Sequence, residues 1–597
     1  MGGLVLKTQL KKTGRFNLVP WRSSLFCWTV RSLLGLAVLG VVGASSFAQS
    51  PAAKVPQQAS PSEAPVEQTS SISVDDLKQL SVSSQSVLAG AAEAVVAMDG
   101  GSGVIVSEDG WVMTASHVSV RPGRKIQVRL ANGLQWPAKT YGVNRQKDTG
   151  MVKLMGEHSW PFVQLDQDAE VEAGDWCVVM GYPWEAESLD TPAVRLGRVT
   201  DVGENRIVSD VPIIGGDSGG PVFAMNGDLL AINSRIRLDV SQNIHIPVAT
   251  YVQQFNELTR EEFVRVIGVK KTKAVDASLV KKFGRNAAEI QNAVADLVAQ
   301  CKPSVVRLVP QQQGEVTGGV MGTIVTKSGL VVSKKSELQL PVKARVGDDW
   351  MEAEIVSFDQ KTDLALLQLK PKVVTEFVPL KNNAKTDVAA ENLVGQLVLS
   401  VVENSENEKL EAALGTRMVA PQDFSTTVAR QELDLGLVLD AGQSTGRSGL
   451  QIARVYPESI AAQSGLQNGD RLISIDGRDV TDEAGLQQLL ATVGSGQTIR
   501  ISIRRQGELR SFRVRLPAKL PLVWDRWGGG PFSGRRFGFG TVIAHDAVID
   551  PSDCGGPVID LEGNFVGINV SRAMRTTTYT IPATVVMELV GKHQQSQ

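Results

Sequence analysis

Histidine and cysteine are scarce in this chain of 597 residues, and neither sign of charge is in excess. Four cysteines are too few for a disulfide framework, so stability has to come from the burial of apolar side chains. Lys and Arg together number 61 against 63 for Asp and Glu, which excludes the strong positive field expected of a nucleic-acid-binding protein. Nothing in the sequence implies a cofactor or a metal site. Only five histidines are available, so a histidine base has few candidates.

The N-terminal residues 1–48 are typical of a secretory signal peptide. A basic leader precedes the short apolar segment Leu33–Val42, and the small residues of Ser46–Ala48 form a cleavage site. An uncleaved membrane anchor stays open as an alternative, because Leu25–Phe47 could almost span a bilayer. In either case we expect the bulk of the chain to be exported, to the periplasm or the cell envelope. Residues 49–73 are rich in Pro, Ala, Ser and Gln, which predicts a disordered linker.

A serine flanked on both sides by paired glycines marks the segment Gly215–Pro221, which is GGDSGGP. Glycine has no Cβ, so this loop can adopt angles that push the Ser218 hydroxyl outward. The backbone amides of Gly216 and Ser218 would then converge on one point, where an oxyanion can bind. A serine hydroxyl is a weak nucleophile at neutral pH and needs an adjacent base that is itself oriented by a third group.

His117 and Asp148 are the candidates for the base and for the group that orients it. His117 ends a predicted hairpin strand that follows a turn at Asp109 and Gly110. Asp148 comes just before an alternating strand, and the chain order His, Asp, Ser is the chymotrypsin-type order. Each motif alone is more often structural, an ordinary turn or a satisfied histidine. The three together, in this order and on these elements, favour a catalytic triad.

The motifs GSGVIVSEDGWVMTASHV, KDTGMVKL and GGDSGGPVF resemble the HtrA/Deg group of trypsin-like serine proteases. The resemblance implies that residues 74–260 form a chymotrypsin-like double β-barrel with serine endopeptidase activity. It also implies unfolded or misfolded polypeptides as substrates, cleavage after small or medium aliphatic residues, and an acyl-enzyme intermediate. Members of the group assemble as homo-oligomers, so self-assembly stays open for this chain. Asp217 departs from the asparagine that is common in the group.

An internal repeat predicts a second, degenerate protease-like domain made of residues 301–430 and 541–597. Asp363 stands at the position of the first aspartate, and Ser336 stands where the histidine belongs. Cys554 replaces the nucleophilic serine. A thiol with its ordinary pKa of about 8.5 needs a positioned base to become a thiolate, and none of the five histidines fits that role. We therefore predict a pseudoprotease, with cysteine catalysis as the alternative.

The second copy contains an insertion, because its nucleophile position follows its aspartate by 191 positions against 70 in the first copy. Residues 431–517 within it resemble a PDZ domain. The resemblance implies that amides at one strand bind the carboxylate of a C-terminal peptide, which joins the sheet as an added strand. The residues expected at this strand are Leu435, Gly436, Leu437 and Val438. The amphipathic segment 482–493 would form the other wall of the groove. A PDZ fold that serves only internal packing stays open.

Two connectors complete the predicted organisation. Residues 261–300 are predicted to be a helical connector, and the Gly-, Arg- and aromatic-rich residues 518–540 a flexible linker. One short run of this kind in an exported protein does not favour RNA binding. The predicted fold is mainly β, with two chymotrypsin-like double barrels and an inserted α+β PDZ domain. The alternative to a protease is a non-catalytic PDZ and pseudoprotease scaffold with a chaperone-like role, in which Ser218 is idle.

Overall fold

The computed structural model describes most of the chain from residue 72 onward. The described residues are 72–98, 100–166, 169–183, 191–264, 276–310, 319–339, 341–370, 377–381, 393–404, 407–423, 435, 437–439, 449–455, 460–481, 486, 489, 498–515 and 527–595. The predicted signal peptide and nearly all of the predicted linker that follows it lie outside them. None of the helices formed by the described residues is both long enough and apolar enough to cross a bilayer.

The first helix, α1 (Val74–Ala91), joins two distant parts of the chain. Ser73 caps it: its hydroxyl accepts from the Asp76 amide, and the Asp76 carboxylate accepts from the Ser73 amide. The buried face of α1 packs against residues more than 300 positions later. There the Ser84 hydroxyl donates to the Gly395 carbonyl at 2.6 Å. The helix therefore attaches the first half of the fold to the second.

The first half of the fold contains two closed six-stranded barrels. The first barrel has the order β1-β2-β3-β6-β5-β4 and the second β10-β11-β12-β9-β8-β7. Their strands are β1 (Val95–Met98), β2 (Gly101–Ile105), β3 (Trp111–Ala115), β4 (Lys125–Arg129), β5 (Gln135–Asn144), β6 (Thr149–Leu154), β7 (Trp176–Gly181), β8 (Ala193–Gly203), β9 (Arg206–Ser209), β10 (Pro221–Ala224), β11 (Leu229–Arg235) and β12 (Asn243–Pro247). The strands are largely buried and antiparallel, as expected for barrels closed around apolar cores.

The second half repeats this plan with one closed barrel and one seven-stranded sheet. The barrel has the order β13-β14-β15-β18-β17-β16, and the sheet β20-β19-β29-β30-β31-β28-β21. Their strands are β13 (Val305–Pro310), β14 (Val320–Ile324), β15 (Leu330–Lys334), β16 (Val342–Val346), β17 (Asp349–Asp359), β18 (Leu364–Lys370), β19 (Leu397–Glu403), β20 (Leu410–Thr416), β21 (Gln422–Asp423), β28 (Thr541–His545), β29 (Pro557–Ile559), β30 (Phe565–Met574) and β31 (Thr577–Pro582). The chain is thus mainly β with several closed barrels, as predicted.

The seven-stranded sheet differs from the second barrel at one place. The long strand β8 of the first half corresponds to two pieces in the second half, β20 and the short β21. Arg417, just after β20, forms an isolated bridge with His545, and β21 then pairs with β28. A strand that bends between two partners allows the chain to leave the sheet here, and the inserted segment begins after β21.

The inserted segment forms a six-stranded sheet of its own. Strand order is β22-β23-β24-β26-β27, and β25 pairs with β24. The strands are β22 (Leu437–Leu439), β23 (Leu450–Val455), β24 (Arg471–Ile475), β25 (Arg478–Asp479), β26 (Thr498–Arg505) and β27 (Glu508–Arg515). A separate apolar core fills it, centred on Leu472, Ile501 and Ile503, each of which is fully buried. The segment is therefore an independent packing unit.

Short helices fill the remaining connections. The helices after α1 are α2 (Ser116–Ser119), α3 (Val248–Gln253), α4 (Phe255–Leu258), α5 (Ala277–Phe283), α6 (Ala288–Cys301), α7 (Ile460–Gln463) and α8 (Ala583–Gln595). Of these, α5 and α6 lie where the sequence predicts a helical connector. Arg285, between them, is buried and donates to the Asp546 carboxylate at 2.8 Å and to the Leu196 carbonyl at 3.1 Å. The connector thus links β8 of the first half to the sheet of the second.

Residues 527–540 pack against the barrels, which differs from the flexible linker predicted for 518–540. Phe539 and Ser533 are fully buried, and the Ser533 amide donates to the Arg572 carbonyl at 3.0 Å. Gly528 has φ +79°, and a Cβ there would collide with the Leu238 carbonyl. Glycine at this position therefore lets the backbone of residues 527–540 pack closely against that of Leu238. Residues 518–526 lie outside the described residues.

Each half buries one histidine at the corresponding end of its last sheet, but on different strands. In the first half His245 on β12 faces Asn233 on β11, and its Nε2 lies 2.7 Å from the Ser209 hydroxyl on β9. In the second half a threonine, Thr580, occupies the position of His245, and His545 occupies the position of Ser209. The hydrogen bond is kept at 2.9 Å. The two partners have exchanged strands.

We expect the first half to accept the arrangement of the second half, with the histidine at position 209 and a threonine at position 245. The single variants His245→Thr and Ser209→His each leave buried polar groups unpaired, which costs about 1–3 kcal/mol. The double variant reproduces the pairing of His545 and Thr580. Its loss in free energy of unfolding should be at least about 1 kcal/mol smaller than the sum of the losses in the two single variants. Thermal unfolding of the three variants measures this coupling. Simple additivity of the two losses would contradict it.

Candidate active site

His117 lies on α2, directly after β3, and is held by Asp148. The imidazole Nδ1 lies 3.0 Å from Asp148 Oδ1 and 3.1 Å from Oδ2. A carboxylate in this position accepts from Nδ1–H and leaves Nε2 unprotonated, which is the tautomer a general base requires. The His117 side chain is 49% exposed, whereas that of Asp148 is 4% exposed. The imidazole is therefore open to a ligand on one side and anchored on the other.

Asp148 receives several donors besides His117. Its backbone is left-handed, with φ +60°, just before β6. The Ser116 hydroxyl donates to Oδ1 at 2.7 Å, and the Ser234 hydroxyl donates to Oδ2 at 2.6 Å. Burial by itself raises the pKa of Asp148, but the hydrogen bonds from His117 and the two serines outweigh it, so the pKa is lowered below its ordinary value. The group is therefore a carboxylate at neutral pH.

The glycines around Ser218 are required by close contacts. Gly219 has φ +87°, and a Cβ there would collide with the Ser102 carbonyl and the Thr114 hydroxyl. Gly216 has φ +97°, and its carbonyl accepts from the Ser102 hydroxyl at 2.7 Å. These contacts hold the loop against the first barrel. The serine loop is thus placed at the junction between the two barrels.

The amides of this loop divide into two sets. Those of Gly219 and Gly220 donate to backbone carbonyls at 2.8 and 2.9 Å. Those of Gly216 and Ser218 have no hydrogen-bond partner among the described residues, and neither does the Ser218 hydroxyl. Two adjacent unpaired donors beside an unpaired hydroxyl are an arrangement that can stabilise an oxyanion.

Two consecutive residues connect the serine loop to the histidine. The Asn233 carbonyl accepts from the Gly219 amide at 2.8 Å, and the Ser234 hydroxyl donates to Asp148. Asn233 and Ser234 are neighbours on β11, and one binds the loop of Ser218 while the other binds Asp148. The loop and the Asp148–His117 pair therefore lie next to each other. In the described structure no hydrogen bond joins His117 to Ser218. Such contacts are often long without a substrate and shorten when one binds.

Asp217, the residue before Ser218, belongs to a buried ion pair. Arg195 Nη1 donates to Asp217 Oδ2 at 2.8 Å, and both side chains are fully buried. The same carboxylate oxygen accepts from the Ile214 amide at 2.8 Å. Arg195 Nε and Nη2 have no partner within the described part of the chain. The charge of Arg195 is therefore balanced through this one contact.

The second half contains a related but altered arrangement. Asp363 has the same left-handed backbone as Asp148, with φ +60°. Its carboxylate accepts from the Ser336 hydroxyl at 2.6 Å and from the Ser336 amide at 3.1 Å. A serine thus stands in the position of the histidine, and it contains no group that can act as a base at neutral pH.

Cys554 lies in a closed version of the serine loop. It is fully buried, burial raises the pKa of its thiol, and Ser533 lies against its sulfur at 3.5 Å. The Cys554 amide donates to the Pro551 carbonyl, and the Ser552 amide donates to Asp550 Oδ1. Both amides that correspond to those of Gly216 and Ser218 are therefore occupied. This site can neither form a thiolate readily nor bind an oxyanion.

Three of the four residues predicted to bind a peptide carboxylate, Leu435, Leu437 and Val438, lie on or next to β22 at the edge of the inserted sheet. In the described part of the chain, β22 pairs with β23 alone. Leu435, just before β22, is buried, and its carbonyl accepts from the Ala461 amide at 2.9 Å. Gly436 lies outside the described residues, as does nearly all of 482–493, of which Leu486 and Leu489 are helical.

Several residues at the site were not singled out from the sequence. Ser116 precedes the histidine directly, and a position next to a motif residue is the one signal that points to it. Ser234 lies near the end of β11, and a serine in that place gives no signal in the sequence. Arg195 occupies an ordinary apolar strand, so only the fold reveals that it contacts Asp217. Such long-range pairs leave no local pattern in the sequence.

Family models match two segments of the chain. A trypsin-like peptidase domain matches residues 101–232, and a PDZ domain matches residues 451–505. The first match contains His117, Asp148 and Ser218. The second covers β23 to β26 of the inserted sheet.

Similarity to known proteins extends over about two thirds of the chain. The probable periplasmic serine protease do/HhoA-like of Haemophilus influenzae is 26% identical over 417 residues, covering 67% of this chain and 76% of its own length. A probable periplasmic serine endoprotease DegP-like of Hahella chejuensis is 27% identical over 418 residues, covering 68% and 78%. Among solved structures, the serine endoprotease from Yersinia pestis covers 73% of this chain and 97% of its own, at 14% identity and a TM-score of 0.27.

Proposed function

We propose that this chain, a serine-type endopeptidase with trypsin-like and PDZ domains and DegP/HtrA homologues, hydrolyses unfolded polypeptides through an acyl-enzyme on Ser218. His117 Nε2 removes the hydroxyl proton as Ser218 Oγ attacks the scissile carbonyl. The imidazolium then gives the proton to the leaving amine, and Asp148 stabilises the charged ring throughout. Water, activated by the same imidazole, releases the acyl group and restores the serine.

The amides of Gly216 and Ser218 bind the oxyanion in this mechanism. Each such donor contributes about 3–4 kcal/mol in the transition state by analogy with measured oxyanion donors. The observation that supports the proposal most is the contrast between the two copies of the loop. Among the described residues, the amides of Gly216 and Ser218 have no partner, whereas those of Ser552 and Cys554 are occupied. Unpaired donors in a folded loop cost free energy, and they are retained where a ligand will pair them.

The substrate proposal follows from the walls beside Ser218. Residues 212–214 and 231–233 are buried, mostly apolar, and contain no carboxylate to receive a Lys or Arg side chain. We therefore expect cleavage after small or medium aliphatic residues. An unfolded chain presents such residues in extended form, whereas a folded one buries them. Because the relatives are named periplasmic proteases, we place the activity in the periplasm, after export.

The inserted domain is proposed to bind C-terminal peptides. In the part of the chain that the structure describes, one edge of β22 has no partner strand, so its backbone groups can pair with an added strand. Leu437 and Leu439 of β22 are partly buried. Binding there would concentrate substrate chains near the catalytic cleft or signal their presence to it. Loss of peptide binding on deletion of residues 435–515, measured by fluorescence anisotropy, is the expected result.

Labelling with a fluorophosphonate tests the proposed function. We expect Ser218 to be labelled in the wild-type ectodomain and casein to be hydrolysed. Ser218→Ala should lose both, and the matched variant Cys554→Ala should lose neither. A wild-type protein that binds C-terminal peptides tightly but is never labelled would instead be the non-catalytic scaffold. Residual casein hydrolysis in Ser218→Ala that Cys554→Ala abolishes would assign catalysis to the second half.

A further inference from the structure

The tip of one hairpin in the second half is buried in the first half. Strands β30 and β31 are joined by Arg575 and Thr576, which are 1% and 0% exposed. A hairpin tip normally lies in solvent, since its backbone groups need water or another partner. Here the Arg572 guanidinium binds the Arg575 carbonyl at 2.6 Å from within the hairpin. The Arg575 carbonyl is thus paired within the hairpin, and the Arg575 side chain contacts the first half.

Arg575 donates to two separate segments of the first half. Its Nε donates to the Ile213 carbonyl at 3.0 Å. Its two terminal nitrogens donate to the Leu238 and Asp239 carbonyls at 3.4 and 3.2 Å, and to Asn243 Oδ1 at 3.0 Å. Burial lowers the pKa of Arg575 to about 10, so the group remains a cation at neutral pH. A planar cation with five donors is suited to holding several carbonyls at fixed separations.

The two segments that Arg575 joins flank Ser218. Ile213 precedes the turn in which Asp217 and Ile214 exchange backbone and side-chain hydrogen bonds, and that turn contains the amide of Gly216. The other segment, 236–242, continues directly from the end of β11, whose Asn233 holds the serine loop. In the proposed function, residues 212–214 form one wall of the gap that receives the substrate side chain, and 236–242 continue the strand that contains the other wall, 231–233. Arg575 therefore spans the walls of that gap.

Asn243 extends the same network. Its side-chain amide donates to the Val211 carbonyl at 2.7 Å and to the Val240 carbonyl at 2.8 Å, while its oxygen accepts from Arg575. One asparagine thus ties both walls together, and Arg575 fixes the orientation of that asparagine. Removing the guanidinium takes its donors away from the Ile213, Leu238 and Asp239 carbonyls, which favours movement of these carbonyls toward water.

A second set of contacts leads from the second half to the same loop. The Val194 amide donates to the Met418 carbonyl, and the Leu196 amide donates to the Thr416 hydroxyl, both at 3.0 Å. Arg195 lies between these two residues and pairs with Asp217. The degenerate half therefore contacts one end of the turn directly, at Ile213, and is linked to Asp217 at the other end through the strand that contains Arg195.

We propose that Arg575 of the degenerate half is a positioning residue that sets the width of the substrate side-chain pocket beside Ser218. The inference rests on the proposed function and adds a role for the second half in it. The pseudoprotease half acts as a fixed part of the catalytic domain, because its hairpin supplies contacts to both segments beside Ser218. Arg575 touches no reacting atom and acts through Ile213, Asp239 and Asn243.

Kinetics expressed per reactive serine test this proposal. The fraction of Ser218 that reacts with fluorophosphonate is measured first, so that misfolded protein is not counted. For Arg575→Ala, kcat/KM per labelled site on fluorogenic peptides should fall about 10- to 100-fold, as expected when a bound group is misplaced by about 1 Å. Discrimination among peptides that differ in the side chain before the cleaved bond should also weaken. Arg575→Lys keeps the charge but cannot span both walls, so it should show the same loss of discrimination even if Arg575→Ala folds poorly.

Arg307→Ala is the matched control. It also removes an arginine that donates to a backbone carbonyl, but its partners Ser552 and Glu403 both lie in the second half. It should leave kcat/KM per labelled site and the discrimination unchanged. Unchanged kinetics in both Arg575 variants, or an equal loss in Arg307→Ala, would overturn the proposal while the proposed function stands. A wild-type protein that is neither labelled nor active would overturn both.

Discussion

Asp148→Asn is expected to lower kcat for peptide hydrolysis by about four orders of magnitude, as the same change does in a related triad, while the protein stays folded. An asparagine amide can donate to His117 Nδ1, which forces the ring proton onto Nε2. That nitrogen then cannot accept the proton of Ser218. The hydroxyls of Ser116 and Ser234 can still pair with the new side chain, so the fold loses little. The measurement is kcat on a fluorogenic peptide together with the thermal unfolding midpoint.

Asp363→Asn provides the control for this expectation. It makes the same chemical change in the second half, where the partner is Ser336 in place of a histidine. Its activity should equal that of the wild type. If Asp148→Asn retained most of the activity, the histidine would not depend on this carboxylate for its tautomer, and the triad assignment would be wrong.

Asp217→Asn is expected to destabilise the protein by about 3–5 kcal/mol, the typical cost of removing one partner of a buried ion pair. The side chain of Arg195 is fully buried, and Asp217 is its one charged partner among the described residues. An amide in place of the carboxylate leaves that cation uncompensated in a medium of low dielectric constant. The same turn presents the amides of Gly216 and Ser218, so labelling of Ser218 should slow as well. Differential scanning calorimetry and labelling rates measure the two effects.

The double variant Arg195→Met with Asp217→Asn tests whether the uncompensated charge of Arg195 causes the loss of stability. Replacing both members of a buried pair by uncharged side chains is often neutral. We therefore expect it to recover most of the stability lost in Asp217→Asn. If the double variant were as unstable as the sum of its parts, the pair would not account for the cost.

The parts of the site that sequence reasoning anticipated are local. Glycine spacing around Ser218 and strand alternation before His117 each follow from backbone sterics within a few residues. The repeat was also visible, because Asp363 and Cys554 lie in copies of the same short motifs. These features can be recognised from the sequence, because each depends on residues that are neighbours along the chain.

The parts that were missed depend on contacts between distant residues. Arg195 and Arg575 are single arginines in apolar strands or turns, and no periodicity marks either of them. Residues 527–540 have the glycine and aromatic content of a flexible linker, yet the same composition suits a segment that packs closely against other backbone. The division of one strand into β20 and β21 depends on where the inserted segment leaves the sheet. Tertiary packing decides all of these.

The inserted domain leaves and re-enters its host through direct neighbours, since β21 pairs with β28 at Gln422 with Val542 and Asp423 with Thr541. An insert whose ends emerge side by side requires no change in the strand order of the host. The corresponding strands of the first half, β8 and β9, are joined by a short turn between Gly203 and Arg206. The inserted domain therefore occupies the place of a hairpin turn.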